Sequence, residues 1–317
     1  MKKIIALIVL MLLIVGCDGQ QTDDKTSTGG SGVAFIGGDK GLDIKFNTGA
    51  PPEEVYDVNY PFNINVRLEN VGETDIPGNE AIVRIKGIFP QDYNVIATDL
   101  VKKNVNELRG ASLDPQGNPL VGSIDGVEFV NLQANTITGT IYPTILAEVC
   151  YPYATKAVAQ ICILEDLLGS TRKTGETALC EVNDDKETQN SGAPVKVTNV
   201  KQSAIGKDKI SLSFDVEHVG EGALYKRGVA CEPTLQNKNR VTIKVDSNIV
   251  GGQMICTGLQ GTEGSIELYG NSGNEKRNIV CTQTLPTRID SEKQIKIDLE
   301  YAYEDKVQTK IAVRHTE

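Results

Sequence analysis

Residues 62–76 read FNINVRLENVGETDI, and residues 210–224 read ISLSFDVEHVGEGAL. The two stretches align without a gap. Phe62, Ile64, Val66, Leu68 and Ile76 fall opposite Ile210, Leu212, Phe214, Val216 and Leu224. Apolar residues recur at every second position, the period of a β-strand that turns alternate side chains to a core. Both runs break at the same turn, Glu69-Asn70-Val71-Gly72-Glu73 and Glu217-His218-Val219-Gly220-Glu221, where glycine permits backbone angles that other residues avoid. Farther on, Asn79 with Ala81, Val83 and Ile85 parallels Asn239 with Val241, Ile243 and Val245. The second copy has twelve more residues between its two strands, and they hold Cys231. Alternation joined to a shared turn reads as duplication of one strand-built module.

The same period governs the rest of the chain. Ile295, Ile297, Leu299, Tyr301 and Tyr303 alternate, and beyond Glu304-Asp305 so do Val307, Thr309, Ile311 and Val313, which reads as a C-terminal hairpin. The best helical candidate, Leu100 to Leu108, is too short and polar to be more than a surface turn or two. Many short strands separated by Gly, Asn, Asp and Pro predict an all-β chain of two tandem antiparallel β-sandwich domains. Residues 183–192, opening with NDDKETQNS, are polar throughout and are expected to link a first sandwich at 33–182, with insertions, to a second at 193–317.

The first sixteen residues have the order of a signal peptide: Lys2-Lys3, an apolar run from Ile4 to Val15, then Gly16. Twelve apolar residues fall short of the roughly 20 that span a bilayer as a helix. Cys17 follows at once. Residues 18–32, DGQQTDDKTSTGGSG, have nothing to bury and read as a flexible tether, so 17–32 is a lipid-bearing cysteine and its linker. The formal charge of −10 becomes −12 without Lys2 and Lys3, and no basic cluster stands against it, which disfavours nucleic acid or anionic lipid as a partner.

Ile14-Val15-Gly16-Cys17 resembles the lipobox of bacterial and archaeal lipoproteins, which implies lipidation of Cys17 and a place on the outer face of the membrane. LENVGET and VEHVGEG resemble the strand-and-turn pattern of cell-adhesion-related, immunoglobulin-like modules of bacterial and archaeal surface proteins. GLDIKF at 41–46 followed by Pro51-Pro52, then CYPYATKAVAQIC, GAPVKVTNV and LEYAY, are similar to a group of uncharacterised archaeal surface proteins. The resemblance implies a non-catalytic structural, adhesion or protein-interaction role towards another surface protein or envelope component. The alternative is a ligand-binding or accessory subunit of an export or pilus assembly.

An exported chain meets an oxidising compartment, so the six further cysteines are read as up to three disulfides: Cys150, Cys162, Cys180, Cys231, Cys256 and Cys281. A hairpin turning at Lys156 would set Cys150 opposite Cys162. Cys256 with Cys281 follows less firmly, and Cys180 with Cys231 would then tie the modules together. Zinc is disfavoured by the lack of a C-x-x-C pair and by having only His218 and His315.

No metal, cofactor or catalytic set is expected. His218 stands where the other copy has Asn70, so it reads as a strand-end turn residue. His315 lies where chain ends usually fray. No G-x-S-x-G elbow supports a serine triad, and the glycines at 37–41 and 220–222 lack the strand-to-helix setting that cradles phosphate. Asp184-Asp185 offers oxygen ligands for calcium at the expected linker, against the plainer reading of a solvated charge run. The chain has no Trp and 5% aromatic residues, which weakens a sugar-binding platform. Tyr151, Tyr153, Tyr301 and Tyr303 form a candidate contact surface or the roof of a core.

Overall fold

The computed structural model describes residues 33–171, 177–271 and 274–316. The expected signal peptide, Cys17 and the tether lie outside the described residues. Val33–Glu317 forms one compact unit. Its helical content among the described residues is two single 3-10 turns, Pro90–Tyr93 and Ala97–Leu100.

Twelve strands carry the fold. The first six are β1 (Leu42–Phe46), β2 (Phe62–Asn70), β3 (Ile82–Lys86), β4 (Val101–Lys103), β5 (Ile124–Leu132) and β6 (Thr144–Ile163). The second six are β7 (Val195–Ala204), β8 (Lys209–His218), β9 (Arg240–Asp246), β10 (Glu263–Glu267), β11 (Lys276–Thr284) and β12 (Ser291–Lys310). One sheet runs β1-β2-β5 and another contains β7-β8-β11, while a long sheet runs β10-β9-β12-β6-β3-β4. The order is palindromic. Each strand of the first six has its counterpart six numbers on, and the long sheet reads the same from either edge.

The register carries the symmetry down to residues. Ile64 pairs with Phe129 as Leu212 pairs with Cys281, and Val83 pairs with Val149 as Ile243 pairs with Leu299. Asn79 and Asn239, matched in sequence, both take left-handed backbone angles, φ 66° and 55°. Along β6 and β12 the pairing is antiparallel over all twenty residues, with Tyr151 opposite Tyr303, Tyr153 opposite Tyr301, and Pro152 opposite Ala302 at the centre.

Two expected hairpins are absent. Thr144–Ile163 is one strand, and so is Ser291–Lys310. Neither span contains a Gly or Asn to bend the chain, burial alternates through Lys156, and pairing with β6 runs unbroken through Glu304-Asp305. Pro152 is tolerated because even-numbered residues of β6 bond away from β12, towards β3, and β3 ends opposite Cys150. The expected helical turn from Leu100 gives way to β4, and 183–192 is no bare linker: Asp184–Asp185 pairs with β7 and Thr188–Asn190 pairs with β6.

Candidate functional site

The four tyrosines at the centre of the β6/β12 ladder form one continuous aromatic cluster. All are buried, and their rings stack edge-on or tilted at centroid distances of 5.6 to 6.4 Å. Buried phenols need partners, and each has one. Leu42 N–H donates to Tyr151 Oη at 3.2 Å, and Tyr301 Oη meets Thr155 Oγ1 at 2.9 Å. Tyr153 Oη donates to Asn70 Oδ1 at 3.2 Å and accepts from Thr74 N–H at 3.4 Å. Tyr303 Oη accepts from Gly222 N–H at 2.7 Å and meets His218 Nε2 at 3.1 Å. Burial raises the pKa of all four phenols above the usual 10.

The duplicated turn is thus built around a tyrosine. Gly72 and Gly220 are required there: a Cβ on Gly72 would lie 2.1 Å from Tyr153 Oη, and one on Gly220 would lie 2.2 Å from Tyr303 Oη. Asn70 and His218 occupy equivalent places at the ends of their strands, and both are buried. Asn70 donates to the carbonyls of Thr74 and Leu108. His218 Nδ1 meets Glu275 Oε2 at 2.9 Å, with side chains 1% and 5% exposed. Carboxylate, imidazole and phenol are therefore aligned, yet packed away from solvent, so they cross-brace the sandwich.

His315 does not fray. Its Nδ1 meets buried Asp57 Oδ2 at 2.7 Å, Thr316 N–H donates to Asp57 Oδ1 at 2.8 Å, and these bonds hold the Asp57 carboxyl well below its usual range. Glu73, in the duplicated turn, accepts from Ile36, Gly37 and Gly192 N–H at 3.0, 2.9 and 2.6 Å. The segment at Ile36 and Gly37 is thereby fastened beside the central tyrosines.

The cysteines form Cys150–Cys231, Cys162–Cys180 and Cys256–Cys281. The last matches expectation. Cys150 cannot meet Cys162, because twelve residues along one strand separate them by about 40 Å. A tie between the halves exists, but Cys231 makes it with Cys150 and not with Cys180. Arg84 supports it, donating to the Ala230 carbonyl at 2.9 Å and facing Glu304 at 3.9 Å.

Beside this tie lies a groove of about 280 Å³ over Pro152 and Tyr153, walled by Asp75, Pro77, Glu80 and Arg227. Its origin is legible in the symmetry. In the second half Ala223–Tyr225 pairs with β12 at Ala302 to Glu304, whereas the matching places in the first half are Pro77 and Pro152, which cannot donate to a ladder. On the same sheet face the Glu304 carboxyl is raised by burial and then by Glu148, and Tyr225 is pushed up to about 12 by burial. Asp185 faces Lys201 at 3.1 Å, and among the described residues no group of three or more His, Cys, Asp or Glu gathers to hold a metal ion. No protein-family model and no curated protein matches the chain.

Proposed function

We propose that this chain is a lipid-anchored surface protein that acts by binding and bracing rather than by catalysis. We propose too that its folded part is a pair of immunoglobulin-like sandwiches fused through a common sheet. The observation that carries the anchor is the order Lys2-Lys3, Ile4 to Val15, Gly16, Cys17, with a polar tether leading into a unit that begins at Val33. The fused pair is supported by the palindromic strand order and matching registers. The non-catalytic part of the reading draws on the polar groups at the centre: the His218, Glu275 and tyrosine side chains are spent on internal hydrogen bonds. The partner is another surface protein or an envelope component, met outside the membrane.

Replacing the lipid-bearing residue tests the reading. Cys17→Ser should leave the chain without lipid and move it from the membrane fraction to the soluble or unprocessed fraction. A variant that still partitions into detergent with the wild-type processed mass defeats the anchor.

A further inference from the structure

The two halves differ at one sheet edge. In the second half, the outer edge of β11 is closed by Met254–Cys256: Ile255 stands opposite Thr282, and Cys256 is bonded to Cys281. Just beyond, Thr257 N–H donates to the Val280 carbonyl at 2.8 Å, and Val280 N–H donates to Thr257 Oγ1 at 3.1 Å. The counterpart of β11 is β5, where Glu128, Phe129 and Val130 hold the places of Val280, Cys281 and Thr282. Among the described residues no strand pairs with the outer edge of β5.

The free groups can be identified by parity. Asn70 N–H donates to the Ser123 carbonyl, so residues 125, 127 and 129 bond to β2, and Glu128 and Val130 turn their N–H and C=O outward. A single side chain stands in for a strand: Lys102 Nζ donates to the Glu128 carbonyl at 2.7 Å and lies 5.6 Å from the Phe129 ring centroid. It takes the position that the Thr257 N–H takes in the other half. Val101, Ile124 and Val130 are exposed around it.

The geometry points to the edge of β5 as the docking site for an extended segment of a partner protein, added as an antiparallel strand in the place that Met254–Cys256 fill in the other half. The chain itself displays what fits: a short segment without proline, two apolar residues turned inward, as Met254 and Cys256 are, and the residue between them turned outward, as Ile255 is. A lysine on an edge blocks indiscriminate pairing. A strand that displaces Lys102 from the Glu128 carbonyl leaves that ammonium beside its own end, so the partner segment that complements the edge carries a carboxylate at this point. A second copy docking through the same edge would instead bring its own Lys102 and Lys103 against their twins. The assignment rests on the binding role proposed above and names its surface.

The probe is the chain's own covering segment as a peptide, residues 252–258, GQMICTG, with Cys256→Ala and a free C-terminal carboxylate to meet Lys102. Added to the detergent-solubilised full chain, it should slow amide exchange at Glu128 and Val130 at least tenfold. The same peptide with Ile255→Pro should bind at least tenfold more weakly, and Val130→Pro in the protein should weaken binding as much. The peptide comparison stands even if that protein variant fails to fold. Unchanged exchange at millimolar peptide overturns the proposal, as does equal protection by the proline peptide. Protection of the same amides that grows with protein concentration in the absence of peptide would assign the edge to a second copy and overturn it equally. The readout does not depend on Cys17, so failure here is distinct from failure of the anchor.

Discussion

Replacing both cysteines of the Cys150–Cys231 bridge by alanine should cost about 4 kcal/mol of stability at 25 °C by the chain-entropy relation. The bond closes a loop of 81 residues, inside which Cys162–Cys180 closes a loop of 18, so the outer bridge constrains roughly 60 residues of unfolded chain. Both sulfurs are buried, and the loop around Cys231 is otherwise held to the first half by Arg84. The folded state should survive, because the twenty-residue β6/β12 ladder joins the halves independently. The expected result is therefore a single cooperative transition at lower denaturant with a somewhat steeper slope, because the unlinked denatured chain exposes more surface, read by far-UV circular dichroism in guanidinium. A loss below about 1 kcal/mol would show that the unfolded chain is not constrained as the entropy argument requires. Two separated transitions would show instead that the ladder does not couple the halves, which refutes the fused-sheet reasoning.

Three further outcomes follow from the same contacts. Tyr303→Phe removes the acceptor of the Gly222 N–H and the partner of His218 Nε2, and should cost about 1–3 kcal/mol in denaturant titrations, since buried polar groups lose their bonds. Gly72→Ala, whose Cβ would meet Tyr153 Oη and the Gly192 carbonyl, should lower the melting temperature far more than Gly206→Ala, whose Cβ comes no closer than 3.8 Å to any neighbour. The Glu304 carboxyl has a folded pKa raised above 4.5 by burial, so its contribution is full below its unfolded pKa and is lost as pH rises through the folded one. The denaturation midpoint of Glu304→Gln should accordingly gain on wild type as pH increases from 4 towards 7, and parallel curves would refute the assigned burial effect.

The strand period and the repeat were both legible, because each is a local property of side-chain order. Asn79 and Asn239, matched in sequence, also share a left-handed backbone in the structure. The length of the strands was misread although the signal was present: Thr144–Ile163 offers no glycine or asparagine at which to turn. The Cys150–Cys162 pairing fails for the same reason, since those two oppose each other only if that strand folds back, whereas Cys256–Cys281 forms as expected. The burial of Asn70 and His218 was beyond a local reading. It depends on Tyr153 and Tyr303, some 80 residues away in sequence, closing over the turn once the long strands pair.

The central ladder also determines how the protein carries tension. β3 joins β6 at residues 146–150, and β9 joins β12 at 296–300, so the two halves grip opposite ends of the same antiparallel pair. A force that draws them apart along the strands loads the ladder in shear, where the hydrogen bonds resist together instead of opening one after another. The chain at Ile36 and Gly37 is fastened by Glu73 beside Tyr153, so a pull arriving through Val33 enters at this joint. Beside that joint lies the twenty-residue ladder, and if the ladder slips, the travel ends at the covalent stop between Cys150 and Cys231.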